Sequence, residues 1–164
     1  MANEALIKLF KGKQVRIVWN EEQEKYYFSV VDIIEVLTES LNPTDYLKKL
    51  RKRDIELGAF LGTNCPQVAM KTSTGKMRIT LAADLQGLFR IIQSVPSKKA
   101  EPVKQWLAEL GQMRIDQMID PELAFQMAVE DYRRQGYSDK WINERMRSIE
   151  MRKELTDEWQ RRNT

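Results

Sequence analysis

The sequence predicts an α+β protein: a small, mostly antiparallel sheet with packed helices, followed by an all-helical C-terminal extension. Three observations carry this. Four short segments near residues 15–19, 26–28, 68–71 and 77–81 have strand composition and fall into two hairpins. The stretches between and after them place apolar residues three and four apart, the period of a helix. From residue 113 onward the chain is charge-laced and carries no strand signal. At 164 residues there is room for one domain with a helical appendage, divided here as 1–115 and 116–164. A chain of that size buries roughly 70% of its unfolded surface, so a core forms without disulfide or metal staples.

The first strand is Val15-Arg16-Ile17-Val18-Trp19, loosely alternating and rich in β-branched residues. The polar run 20–25 turns the chain into a second strand at 26–28. Ser29, with Asp32 three residues on, has the form of a helix start, and Ile33, Ile34, Val36 and Leu37 give that helix one apolar side, ending near Ser40. Asn42 then caps and Pro43 takes the first helical position of a second helix, over 43–54. Asp45 suits its first turn, and Tyr46, Leu47 and Leu50 form its buried stripe. Two short helices joined by a tight Asn-Pro turn make a helix-turn-helix-like pair. Thr72-Ser73-Thr74-Gly75-Lys76 is the loop of the second hairpin.

Leu85, Leu88, Phe89 and Ile92 mark a helix over 83–93, broken by Pro96-Ser97. The next helix begins near Lys99 and tolerates Pro102 only in its first turn. Val103, Trp106, Leu107 and Leu110 form its apolar face, and Gly111 is expected to end or bend it. Asp120-Pro121 starts another helix running to Arg134 and closed by Gly136. Ser138 caps the last, with Trp141, Ile142, Met146 and Ile149 inward. Leu155-Thr156-Asp157 has the form of a restart carrying Trp159. The short 120–135 helix leaves some of this apolar surface without cover. A second protomer, or a missing C-terminal part, is expected to meet it, giving a homodimer through the C-terminal helices.

The chain contains no histidine and only one cysteine, Cys65. Ser-His-Asp and Cys-His nucleophiles, His-ligated metals, thiolate zinc clusters and an intrachain disulfide are thereby excluded. Carboxylate-bound magnesium is the main remaining catalytic option. The usual nuclease pairing of Glu-x-Lys or Asp-x-Lys occurs nowhere in the chain. Asp32, Asp45 and Asp54 are better explained as helix starts or turns. No catalytic residue, metal or cofactor is therefore expected, and the chain reads as a non-enzyme. No apolar run approaches the roughly 18 residues of a membrane span, and the N-terminus lacks a signal-peptide core. A cytoplasmic protein with a reduced, half-buried Cys65 thiol is expected.

Charge is distributed unevenly. Residues 41–104 hold 12 Lys/Arg against 5 Asp/Glu, while the segments on either side each carry −2. A basic middle third is the footprint of a polyanion binder, and it equally fits a solvated helix face. Lys48, Lys49, Arg51, Lys52 and Arg53 crowd the helix after Pro43, and Lys71, Lys76 and Arg78 gather around the second hairpin loop. These eight are the candidate DNA-binding residues, since Lys and Arg neutralise phosphates and release counterions. Arginines 51, 53 and 78 also suit guanine edges in a major groove. Tyr46 and Trp106 sit in apolar stripes, where packing accounts for them.

In order, VRIVWNEEQEKYYFSVVDIIEVL, NPTDYLKKLRKR and STGKMRITLAADLQGLFRIIQSVPSKKAEPVKQWLAELG resemble the Bro-N domain over roughly residues 14–115. That domain heads baculovirus BRO proteins and many phage or prophage antirepressors. LQGLFRIIQSVPSKKAEPVKQWL is the most specific part. GYSDKWINERMRSIEMRKELTDEW is similar to the helical extension of a bacterial subgroup, close in layout to the DNA-damage-inducible protein D family. The resemblance implies an α+β, nucleic-acid-binding domain, regulatory rather than catalytic, with DNA binding and interference with phage repressors among its roles. Such proteins usually continue further, so the extension is expected to be truncated or the chain a short member. The leading expectation is a transcription-regulating DNA binder of antirepressor type, using the central basic helix and hairpin. The alternative is a protein-interaction module that binds a repressor or recombinase, with no direct DNA contact.

Overall fold

The structure, a computed structural model, describes residues 15–163. The chain divides into two compact units, one through Glu109 and one from Leu110 onward. In the first, strands β1 (Ile17–Asn20), β2 (Lys25–Ser29), β3 (Gln67–Lys71) and β4 (Met77–Ala83) form one sheet in the order β1-β2-β4-β3, every pair antiparallel. Helices α1 (Val30–Thr38), α2 (Pro43–Arg53) and α3 (Ile55–Asn64) lie between the hairpins in sequence, and α4 (Leu85–Ser94) follows the sheet. A short 3₁₀ turn, Lys98–Ala100, leads into α5 (Glu101–Ile119). The second unit contains the end of α5, then α6 (Glu122–Arg134) and α7 (Asp139–Arg162).

Strand alternation builds two cores, because successive side chains point to opposite faces. Phe28 and Ala83, paired across β2 and β4, turn to the helices and join Ile33, Ile34, Leu37, Leu57, Leu61, Leu88, Ile91 and Ile92. Tyr27, Met70 and Ala82 turn the other way and close a smaller cluster with Val18 and Val68. Arg16 ties the edges of that second face. Its guanidinium pairs with Asp32, donates to Ser29 Oγ and reaches the Lys71 carbonyl at 3.1 Å. The end of β3 is thus brought to the start of β1, and the sheet curls.

Capping sets the helix starts as the sequence indicates. Ser29 Oγ accepts from the Asp32 amide, Asn42 Oδ1 from the Asp45 amide at 3.1 Å, and Ser138 Oγ from the Trp141 amide at 3.2 Å. Pro102 falls in the first turn of α5, where its missing N–H costs no helical bond. Gly75 and Gly136 hold positive φ, 82° and 93°, in the hairpin loop and after α6.

Several expectations need correction. Helix α3 was not anticipated: residues 55–64 carry no reading in the sequence, yet they bury Leu57 and Leu61 completely. Gly111 does not end α5, which continues to Ile119. A lone interior glycine costs only about 1 kcal/mol against alanine, and its helix-forming neighbours outweigh that. Residue 155 is not a restart, because α7 is one helix and the Thr156 hydroxyl bonds back to the Arg152 carbonyl at 2.8 Å instead of capping. The inward face of α7 is also smaller than expected. Ile142 is buried, but Trp141 and Ile149 are exposed, and Trp159 is 71% exposed. The 13 residues of α6 are too few to cover a 24-residue partner.

Cys65, expected to be half-buried, is buried beside Gly87, where an added Cβ would come within 3.7 Å of its sulfur. Burial, with the Asp84 carboxylate adding to it, pushes the thiol up to about 11. At pH 8 the native thiolate fraction falls about 100-fold below that of an ordinary thiol. Iodoacetamide is therefore expected to label the native chain at least about 100-fold more slowly than the urea-unfolded chain, followed by mass spectrometry; equal rates would refute the burial. The contribution of this thiol to stability is intact below about 9. It falls as pH rises toward about 11, because the unfolded chain loses its proton first.

Candidate nucleic-acid interface

Helix α2 has two sides. Leu47 and Leu50 are buried and Tyr46 packs against the same core, while Lys48, Lys49, Arg51, Lys52 and Arg53 are exposed. Arg51, Lys52 and Arg53 occupy the last turn, where cations meet the negative end of the helix dipole. Asp54 then takes an extended conformation and serves both helices. It ends α2, and its carboxylate accepts the Leu57 amide at 2.9 Å to start α3. That amide above all holds the Asp54 carboxyl below the usual carboxylate range, with Ser94 and Arg90 adding to it. The Arg90 guanidinium lies 4.0 Å from Asp54 and bonds Ser94, bracing the α2–α3 corner against α4.

The corner is tight. A Cβ on Gly58 would sit 3.1 Å from the Arg51 carbonyl oxygen, so glycine lets α3 approach the end of α2. Between the helices lies an open groove of about 710 Å³. Thr44, Leu47, Lys48, Arg51 and Lys52 line it from α2, and Ile55, Gly58 and Ala59 from α3. Lys48, Arg51 and Lys52 form no ion pair among the described residues. Lys49 does: its ammonium is 2.9 Å from Asp45 and holds that carboxyl below its ordinary range. Arg53 is exposed but does not line the groove.

The hairpin cations are arranged differently. Lys71 is opposite Met77, and Arg78 is opposite Met70. Since Met77 and Arg78 are consecutive, Lys71 and Arg78 stand on opposite faces of the hairpin, with Lys76 in the loop between the strands. All three are exposed, and none lines the α2–α3 groove. The structure therefore brings three of the eight candidates into one groove and leaves the hairpin set on separate surfaces. The groove's α3 wall went unseen in the sequence, although Asp54 followed by Leu57, Phe60 and Leu61 at helical spacing was its signal.

The aspartates are structural. Asp32 pairs with Arg16, Asp45 with Lys49, and Asp54 caps α3. No group of three or more Cys, Asp and Glu among the described residues is placed to hold a metal ion. No helix among them is long and apolar enough to cross a membrane. The run Gly87-Leu88-Phe89-Arg90 is explained by packing. A Cβ on Gly87 would meet that of Ala83 at 3.0 Å, Leu88 is fully buried, Phe89 faces Trp106 with centroids 6.3 Å apart, and Arg90 is the brace described above.

The model of the BRO family N-terminal domain, Bro-N, matches residues 14–111. No curated protein and no solved structure matches the chain. The matched segment spans more than half of the 164 residues and includes the sheet, the α2–α3 corner and the Gly87–Arg90 run. The chain belongs to the Bro-N family.

Proposed function

We propose that this chain is a DNA-binding regulator of the phage or prophage antirepressor type. It acts in the cytoplasm and seats duplex phosphates on α2, with Lys48, Arg51 and Lys52 as the principal contacts. Lys49 and Arg53 flank them, and Lys71, Lys76 and Arg78 of the hairpin are secondary. The observation that carries this reading is the groove itself, in which three exposed cations on one helix face form no ion pair among the described residues. Membership of a family of regulatory domains supports binding over catalysis.

Cations in this arrangement displace the counterions of a polyanion, and each phosphate neutralised adds about 0.9 to the log–log salt slope. Titrating a fluorescent duplex with the 164-residue chain at several salt concentrations is expected to give a slope of about −3 from the groove trio, steeper if the flanking and hairpin cations engage. A slope near zero, or no binding at low salt, would overturn the reading. Binding of an acidic protein instead would favour the repressor- or recombinase-binding alternative.

A further inference from the structure

Ile55 is the exposed large apolar side chain of the groove, where Leu47 is buried. It is the first residue of α3 and is 79% exposed, while the same helix buries Leu57 and Leu61 on its other side. What sets Ile55 apart from other exposed aliphatic residues is its place in the groove beside Lys48, Arg51 and Lys52. Three cations along one helix face suit a polyanion in this groove by charge. No aromatic ring lines it, so it lacks the stacking platform that grips single strands, and a duplex is the better fit. Ala59, one turn along α3, keeps the wall beside Ile55 low.

In a duplex, the apolar group within reach of a side chain beside the backbone is the thymine methyl in the major groove. The first turn of a helix is a position from which side chains touch base edges. Resting on the DNA-binding reading above, we infer that Ile55 is a specificity-determining residue that packs on a thymine methyl of duplex DNA seated on the three cations. The cations supply affinity without sequence preference, and Ile55 adds a preference for thymine at one step of the site.

The test uses the full 164-residue chain and a duplex selected with it from a randomised double-stranded library. That duplex is remade with deoxyuridine for thymidine, which removes only the methyl groups. Binding is expected to weaken about three- to fourfold, the value of one buried methyl. Ile55→Ala is expected to weaken binding to the thymidine duplex by at least that factor and to abolish the difference between the two duplexes. Its salt slope stays that of the unaltered chain, because no phosphate contact is lost. Ile55→Leu is expected to keep part of the preference, which a merely structural role would not produce. Equal binding with and without the methyls, or an Ile55→Ala chain that keeps the preference, overturns this inference and leaves DNA binding standing. A library from which no sequence is enriched, although its duplexes bind, also overturns this inference and leaves DNA binding standing; no binding of any duplex at low salt overturns the DNA-binding reading itself and turns the groove toward an acidic helix of a protein.

Discussion

Changing Lys48, Arg51 and Lys52 together to glutamate is expected to abolish duplex binding while the chain stays folded. A hydrogen bond to a charged group contributes about 1.5 kcal/mol or more. Losing three weakens binding by about 1,000-fold before the added repulsion is counted. All three side chains are exposed on α2, away from the buried Leu47 and Leu50, so the core is untouched. Glutamine at the same positions separates lost attraction from added repulsion: the salt slope should flatten by about 2.7, the value for three phosphates. The equivalent glutamine triple at Lys71, Lys76 and Arg78 is expected to flatten it by about 1 to 2. Lys71 and Arg78 face opposite sides of the hairpin, so one duplex cannot lie against both. Fluorescence anisotropy gives the affinities, and circular dichroism checks the fold. A folded glutamate triple that binds with unchanged affinity would remove α2 from the interface.

Phe28→Ala is expected to destabilise the first unit by about 3–5 kcal/mol, the range for emptying a buried aromatic site. Phe28 is fully buried, sits opposite both Ile17 and Ala83, and joins the sheet to the helix layer. A typical domain has only about 5–15 kcal/mol in total, so this single change approaches the limit of folding. With a urea dependence of about 1–3 kcal/mol/M, the unfolding midpoint should fall by at least 1 M. Trp159→Ala is the contrasting case: a larger ring, but 71% exposed, with an expected midpoint shift close to zero. Comparable losses from the two substitutions would mean that the core is not where the structure puts it.

The difference between those two residues marks how far the sequence reaches. Helical spacing asks for burial of Trp159 as firmly as it asks for burial of Leu88, yet only Leu88 finds a surface to pack on. Periodicity identifies the side of a helix that would gain by burial. Whether a partner exists depends on the lengths and positions of other elements, and α6 is too short to cover the far end of α7.

The four strands, the starts of α1, α2 and α7, the packing roles of Tyr46 and Trp106, and the concentration of cations on α2 can all be read from the chain's residue pattern. Each of these rests on interactions between residues at most four apart, such as Ser29 with Asp32 or Asn42 with Asp45, or on period-two and period-3.6 patterns. The opposite faces of Lys71 and Arg78 were within reach of the same period-two rule once the pairing was known. Residues 55–64 show helical spacing in Leu57, Phe60 and Leu61, but packing settles that they are helical. Gly58 and Gly62 lower the local helix propensity, and the helix is recovered by burying Leu57 and Leu61 and by the close approach of Gly58 to the Arg51 carbonyl. The groove exists because α3 turns back beside α2 through Asp54, held by Arg90 from a helix 36 positions further along the chain. Contacts of that range leave no periodic trace, which is why the cations were legible in the sequence and the groove they line was not.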